Sequence, residues 1–154
     1  MNWIAQHLNV MGVVDWLEFF REGWENIVKP ECARDIATYE SFMKMLFHVA
    51  SLPEDEGAVV LFTSKNLKPL GFYILCDNTE RFAEKRSLLI YAGYSNGKYA
   101  GAARESIEYI ERWAKEHGYS DLQAHTRRMT GAAVRLYERK LGFEMMSWVF
   151  RKNI

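Results

Sequence analysis

The stretch from Lys98 to Phe143, KYAGAARESIEYIERWAKEHGYSDLQAHTRRMTGAAVRLYERKLGF, constrains the fold of this chain more than any other. Its small-residue start runs into a stripe of Ala103, Ile107, Ile110 and Ala114 at spacings of 4, 3 and 4, the apolar face of an amphipathic helix. Charged Glu105, Glu108, Glu111, Arg112, Lys115 and Glu116 fill the other faces, and Gly118 supplies the stop. A short strand over Asp121–Thr126, a helix over Thr130–Leu141 begun by its threonine cap, and a strand over Phe143–Arg151 come next. Strand, helix and strand in that order favour right-handed crossovers and a mixed sheet with helices on both faces.

Upstream, residues 3–10 suit an edge strand. Val13, Trp16, Leu17, Phe20, Trp24 and Ile27 recur at helical spacing over Val13–Val28, ended by Pro30. A second helix is predicted over Ile36–Ala50, with Tyr39, Phe42, Met43, Leu46, Phe47 and Val49 on its apolar face. Three strands come after it: Ala58–Thr63, Pro69–Asp77 and Arg86–Tyr94, the middle one covered on both faces. With no repeat, low-complexity tract or linker, residues 1–154 read as a single domain.

Composition excludes several classes. No apolar run approaches the roughly 20 residues of a spanning helix, and the N-terminus lacks the pattern of a secretory signal, so a cytoplasmic location is expected without a membrane. Cys32 and Cys76 make no CxxC spacing, and His7, His48, His117 and His125 make no metal set. The net charge of zero hides an asymmetry: residues 1–77 hold 6 Lys/Arg against 11 Asp/Glu (−5), and residues 78–154 hold 14 against 9 (+5). A basic half suits a polyanionic ligand or an ordinary solvated surface. Basic runs with interleaved aromatics are missing, so no nucleic acid partner is expected.

Three groups of residues carry chemistry. Between Gly97 and Ala103 the chain reads Gly-Lys-Tyr-Ala-Gly-Ala-Ala and then turns helical. The first N–H groups of that helix lie at the positive end of its dipole, where a pyrophosphate can bind, and Lys98 adds charge beside them. The plainer alternative is that the alanines form helix and Gly101 eases packing. Second, Tyr91, Ala92 and Gly93 could offer main-chain groups to the amide-bearing arm of an acyl carrier; Gly93 suits a bulge, a close approach or a plain strand end. Third, Tyr137 could protonate a leaving thiolate, or cap an apolar helix face as a core tyrosine.

With these residues in place, residues 58–150 resemble the GNAT superfamily of N-acetyltransferases. Lys98-Tyr99-Ala100-Gly101-Ala102-Ala103 is similar to that superfamily's phosphate loop, Arg/Gln-x-x-Gly-x-Gly/Ala. Ala133-Val134-Arg135-Leu136-Tyr137-Glu138-Arg139-Lys140-Leu141-Gly142-Phe143 resembles its Ala-x-x-Leu-Tyr-Glu-x-x-Gly-Phe signature. Lys98, Tyr99 and Thr130 depart from the usual residues at their positions. The resemblance implies an α/β fold: a mixed, mostly antiparallel twisted sheet of about six or seven strands flanked by about four helices, split between two parallel central strands. It also implies acetyl-CoA as co-substrate, no metal, and direct attack by a primary amine within a ternary complex. In that reading Lys98, Tyr99, Ala100, Gly101, Ala102 and Ala103 hold the pyrophosphate, and Tyr91, Ala92 and Gly93 line the acyl arm. Tyr137 is the general acid, and the two N-terminal helices border the acceptor.

Glu84, Tyr91, His125 and Glu144 are the titratable groups placed near that cleft, with His125 the candidate base. His48 reads as a core histidine and Cys76 as a small hydrophobe. The competing class is a non-catalytic module of the same fold, in a homodimer or larger protein assembly. The acceptor itself, a small-molecule or peptide amine, is left open.

Overall fold

The computed structural model describes residues 3–28, 38–97, 101–124, 138–139 and 141–144. In chain order these are β1 (Trp3–Leu8), α1 (Val10–Asp15), α2 (Leu17–Gly23), a π-helical turn (Trp24–Val28), α3 (Tyr39–Ala50), β2 (Gly57–Ser64), β3 (Pro69–Asp77), β4 (Arg86–Ser95), α4 (Ala102–Glu116) and β5 (Tyr119–Ala124). The strands lie in the order β1-β2-β3-β4-β5. Every neighbouring pair is antiparallel except β4 and β5, which run parallel with α4 as their crossover. Five strands are thus seen among the described residues, against the six or seven expected. The expected strand at 143–151 and helix at 130–141 lie largely outside them.

The long first helix expected from the apolar spacing is broken. Asn9 starts α1 earlier by accepting from the Gly12 amide (2.9 Å). At Trp16 the backbone leaves the helical region, with φ −117° and ψ 20°, and its amide bonds back to Val13 O. The break re-phases the next two turns of helix: Phe19, Phe20, Gly23 and Trp24 are buried, whereas Trp16 and Leu17 are only half-buried. The second helix starts at Tyr39, where the Thr38 hydroxyl accepts from the Ser41 amide (3.1 Å).

Two apolar layers sandwich the sheet. On one face Phe72 and Ile74 of β3 pack with Phe19, Phe20, Phe42 and Leu46 from α2 and α3. On the other, Leu75, Leu88 and Ile90 pack with Ile107, Ile110 and Trp113 of α4. Each large side chain so buried contributes about 1.5–3 kcal/mol. Gly23 brings α2 down onto β3: a Cβ there would lie 2.4 Å from the Phe72 ring.

One end of the sheet is closed by a polar clasp. The Arg86 guanidinium donates to the carbonyls of Asp55 (2.5 Å) and His117 (2.9 Å), to the Asp77 carboxylate (2.7 Å) and to the Tyr119 hydroxyl (3.0 Å). It also stacks on the Tyr119 ring, 4.2 Å from the centroid. β3, β4, β5 and the turn before β2 are tied together there.

Candidate functional site

The opposite end of β4 is built around one inserted residue. Ile74 of β3 pairs with Ala92, but the next residue, Leu75, pairs with Ile90. Tyr91 is the insertion, a β-bulge. In a regular strand Leu88, Ile90, Ala92 and Tyr94 would all face one side. Here Leu88 and Ile90 enter the α4 layer, while Ala92 and Tyr94 enter the layer of α1, α2 and α3, with Tyr91 packed against that same layer. The bulge turns the C-terminal half of the strand over.

Gly93, read above as a place for a bulge, a close ligand approach or a plain strand end, leaves room for a neighbouring ring. A Cβ on it would lie 2.7 Å from the Tyr73 ring. Tyr73 needs that space to reach the Ser106 hydroxyl (3.1 Å), and the same hydroxyl donates to the Ala103 carbonyl (3.1 Å). Burial raises the Tyr73 phenol above its ordinary pKa, with the Ser106 bond opposing, so it stays protonated. This relay pins the first turn of α4 to the centre of the sheet.

α4 opens at Gly101, whose φ of +84° is left-handed and favours glycine. No side chain caps the helix. The Gly101 carbonyl accepts from the Glu105 amide (3.1 Å), closing the first turn. Ala103 is exposed, contrary to its expected place in the apolar stripe; Trp113 takes up that role lower down. The first-turn amides and the bulge share one end of the sheet, beyond the C-terminal part of a parallel strand, where open α/β sheets bind ligands. One acid shares the spot: Glu105, whose carboxylate accepts from the Trp3 indole N–H (2.7 Å), extends to 3.9 Å from where a Gly101 Cβ would stand.

A further pair was not singled out by sequence. The Tyr94 hydroxyl donates to the Glu22 carboxylate of α2 (2.5 Å). Burial, together with the hydrogen bond and the charge of Glu22, pushes the Tyr94 pKa up to about 12, so the phenol remains a donor. No signal in the sequence could have found the pair, because unbroken alternation sends Tyr94 to the other face and only the register against β3 shows the bulge.

Of the other expected site residues, Lys98, Tyr99, Ala100, His125 and Tyr137 lie outside the described residues. Glu84 precedes β4 on the clasp side, at the far end of the strand from the bulge, and Glu144 is exposed. His48 is exposed on α3 rather than in the core. It borders an open groove with Leu52, Cys76, Asp77 and Arg86. Burial pushes the Cys76 thiol up to about 11, which keeps it from acting as a thiolate nucleophile at neutral pH. Among the described residues no cluster of His, Cys, Asp or Glu suits a metal, and no helix is long and apolar enough to cross a membrane.

A parallel junction within an otherwise antiparallel sheet, a bulged central strand and a glycine-opened crossover helix are the frame of a GNAT acetyltransferase. The model of the Acetyltransferase (GNAT) family matches residues 14–143, and the chain belongs to that family. No curated protein matches the chain. Solved structures do. A possible acetyltransferase from Clostridium difficile 630 superimposes with a TM-score of 0.75 at 13% identity, covering 100% of this chain and 99% of that one. An aminoglycoside antibiotic 6′-N-acetyltransferase from Acinetobacter baumannii gives 0.70 at 13% identity, with 99% of each chain covered. AAC(6′)-Iy in complex with the bisubstrate analogue CoA-S-monomethyl-acetylneamine gives 0.72 at 13% identity, with 100% of each covered. At such identities the likeness is one of fold.

Proposed function

We propose that this chain is an acetyl-CoA-dependent N-acetyltransferase that moves an acetyl group to a primary amine by direct attack within a ternary complex. The observation that carries this reading is the Tyr91 bulge on β4, set at the same sheet end as the Gly101-opened terminus of α4. Acetyl-CoA supplies an activated thioester and a diphosphate. The described residues fit both ends of such a molecule. First-turn amides at Ala102 and Ala103 meet a diphosphate at the positive end of α4. The main chain of Tyr91, Ala92 and Gly93 borders the acyl arm, where the bulge aims the strand away from its regular path.

Lys98, Tyr99 and Ala100 complete the loop in this reading. His125 is the base that takes the proton of the acceptor ammonium, and Tyr137 returns a proton to the departing thiolate. The roles of Lys98, Tyr99, Ala100 and Tyr137 rest on the family signature in the sequence, and that of His125 on its place among the titratable groups near the cleft. The relatives whose structures are described with CoA or a bisubstrate analogue are consistent with the co-substrate.

One observation favours the second reading, a GNAT-fold module without turnover. Glu105 brings a carboxylate to the mouth that would hold the diphosphate, and like charges repel there. A thermal-shift titration with acetyl-CoA separates the two, since a ligand that binds only the folded state raises the melting temperature. Thiol release with a panel of primary amines then tests transfer. No melting shift at millimolar acetyl-CoA sinks the first reading. A shift without thiol release for any amine, and an unchanged rate in Tyr137→Phe where release occurs, would remove the assigned chemistry but keep the binding site.

A further inference from the structure

Tyr73 stands between the two parts of the candidate acetyl-CoA site. In the β3–β4 register it lies opposite Gly93, and its ring crosses over that glycine, where a Cβ would come within 2.7 Å. The Phe62 ring of β2 packs edge-on against it, 5.8 Å between centroids. Its hydroxyl meets Ser106 of α4 at 3.1 Å. The Ser106 hydroxyl gives its own proton to the Ala103 carbonyl (3.1 Å), so Tyr73 is the donor of the pair.

The first turn of α4 has little apolar packing to fix it. Ala103 and Arg104 are exposed, and burial along the helix sets in at Ser106 and Ile107. A gap of about 20 Å³ lies between that turn and the sheet, with Trp3, Phe62, Tyr73 and Ser106 in its walls. It has room for a single water rather than for a ligand. Aromatic residues aside, Ser106 and Thr63 are the only buried polar side chains among the described residues. Burying a hydroxyl costs free energy unless it is paired, and a paired one is directional where apolar contact is not. The Tyr73–Ser106 bond therefore sets the height and rotation of this turn, with the Trp3–Glu105 bond (2.7 Å) as a second tie.

The chain of hydrogen bonds ends on the ligand side. The Ala103 carbonyl and the Arg104 amide belong to one planar peptide group. The amides of Ala102, Ala103 and Arg104 precede the first intrahelical bond, which Glu105 makes to Gly101. A hydroxyl donated to the Ala103 carbonyl polarises that peptide and makes its N–H the stronger donor. We infer that Tyr73 is a positioning residue for acetyl-CoA. It joins the Gly93 main chain beside the acyl arm to the α4 amides that meet the diphosphate, and through Ser106 it raises the affinity of those amides. The inference rests on the acetyl-transfer reading for the identity of the ligand.

Calorimetry with acetyl-CoA tests it. Tyr73→Phe keeps the ring over Gly93 and should weaken binding about fivefold. Ser106→Ala breaks the same chain at its second link and should do the same, and the double variant should be no weaker than either single one. Tyr109→Phe removes a hydroxyl from the same helix, one that meets His7 (2.8 Å), and Ile110→Val loosens the packing of α4 lower down; both should leave the affinity where it was. A second readout needs no ligand. The Arg104 amide proton should move upfield in the NMR spectrum of Tyr73→Phe and stay in place in Tyr109→Phe. Equal acetyl-CoA affinity in wild type, Tyr73→Phe and Ser106→Ala overturns the inference and leaves the acetyl-transfer reading intact. So does a loss that Ile110→Val shares, a full sum of the two single losses, or an Arg104 resonance that does not move. If wild type itself fails to bind acetyl-CoA at millimolar concentration, the acetyl-transfer reading falls and the role of Tyr73 falls with it.

Discussion

The two halves of β4 are made from one continuous strand and do opposite things. From Arg86 to Ile90 it is paired on both sides, antiparallel to β3 and parallel to β5, and the Arg86 clasp closes its end. From Tyr91 to Ser95 it has passed the bulge, turned its side chains to the other layer, and presents Tyr94 to an exposed glutamate. In the first half polar groups are consumed internally. In the second the buried Tyr94 carries its hydroxyl to Glu22 of α2. The bulge is what separates the two halves, because it shifts the strand's register by one residue against β3.

The strongest way to break this contrast is Phe72→Ala. Phe72 is fully buried, lies opposite Tyr94 in the sheet register, and supports Phe19 and Phe20. Its truncation should cost about 3–5 kcal/mol in urea unfolding. In any fraction that stays folded, the Glu22–Tyr94 pair should loosen while the Arg86 end keeps its hydrogen-exchange protection.

Arg86→Ala attacks the other half. It removes four guanidinium hydrogen bonds, while the Tyr119 hydroxyl still donates to the Asp55 carbonyl and the Thr79 amide to Asp77, so a loss of about 1–2 kcal/mol is expected, with little change in acetyl-CoA affinity. A pH series sharpens the point. Burial alone would raise the Asp77 pKa, but hydrogen bonds from Thr79 and Arg86 and the Arg86 charge hold it below its ordinary value of 3.8. A carboxylate depressed in the folded state stabilises above its unfolded pKa and loses that contribution as pH falls through the folded one. Wild type should therefore lose stability on acidification below about pH 4, and Arg86→Ala should show a shallower loss there. Equal slopes in the two proteins would dissociate the clasp from Asp77.

Gly101→Ala is a smaller change on the site side. The position has open space around it, so the cost is the left-handed φ alone, about 1 kcal/mol. A drop in acetyl-CoA affinity larger than the drop in stability is expected, since the same backbone both starts α4 and would face the diphosphate. Smallest of all, Glu105→Gln should tighten acetyl-CoA binding by about two- to fivefold in calorimetry, from relief of repulsion at an exposed helix end. No change would mean that Glu105 does not face the ligand.

Much of the frame was legible in the residues. β3 as a strand covered on both faces, α4 from its apolar stripe to its stop at Gly118, and the strand–helix–strand order all come from local periodicity. Those patterns are short-range, so a linear sequence displays them. The break at Trp16 is not visible in the sequence, because the apolar spacing on either side is compatible with one helix. Gly93 stands out in the sequence for its missing Cβ, but the ring that takes up the space, Tyr73, is far away in sequence. Glu22 and Tyr94 are 72 residues apart and carry no motif, so nothing local could join them.

By itself the sequence determined the order of the elements and the small-residue start of the crossover helix, since these depend on backbone preference and on period. It also set the acidic excess of the N-terminal half. Only the tertiary structure decided where β4 changes face, because a bulge is defined by register against a neighbour rather than by composition. That one inserted residue, Tyr91, decides which layer Tyr94 enters, and through it that Tyr94 meets Glu22 of α2.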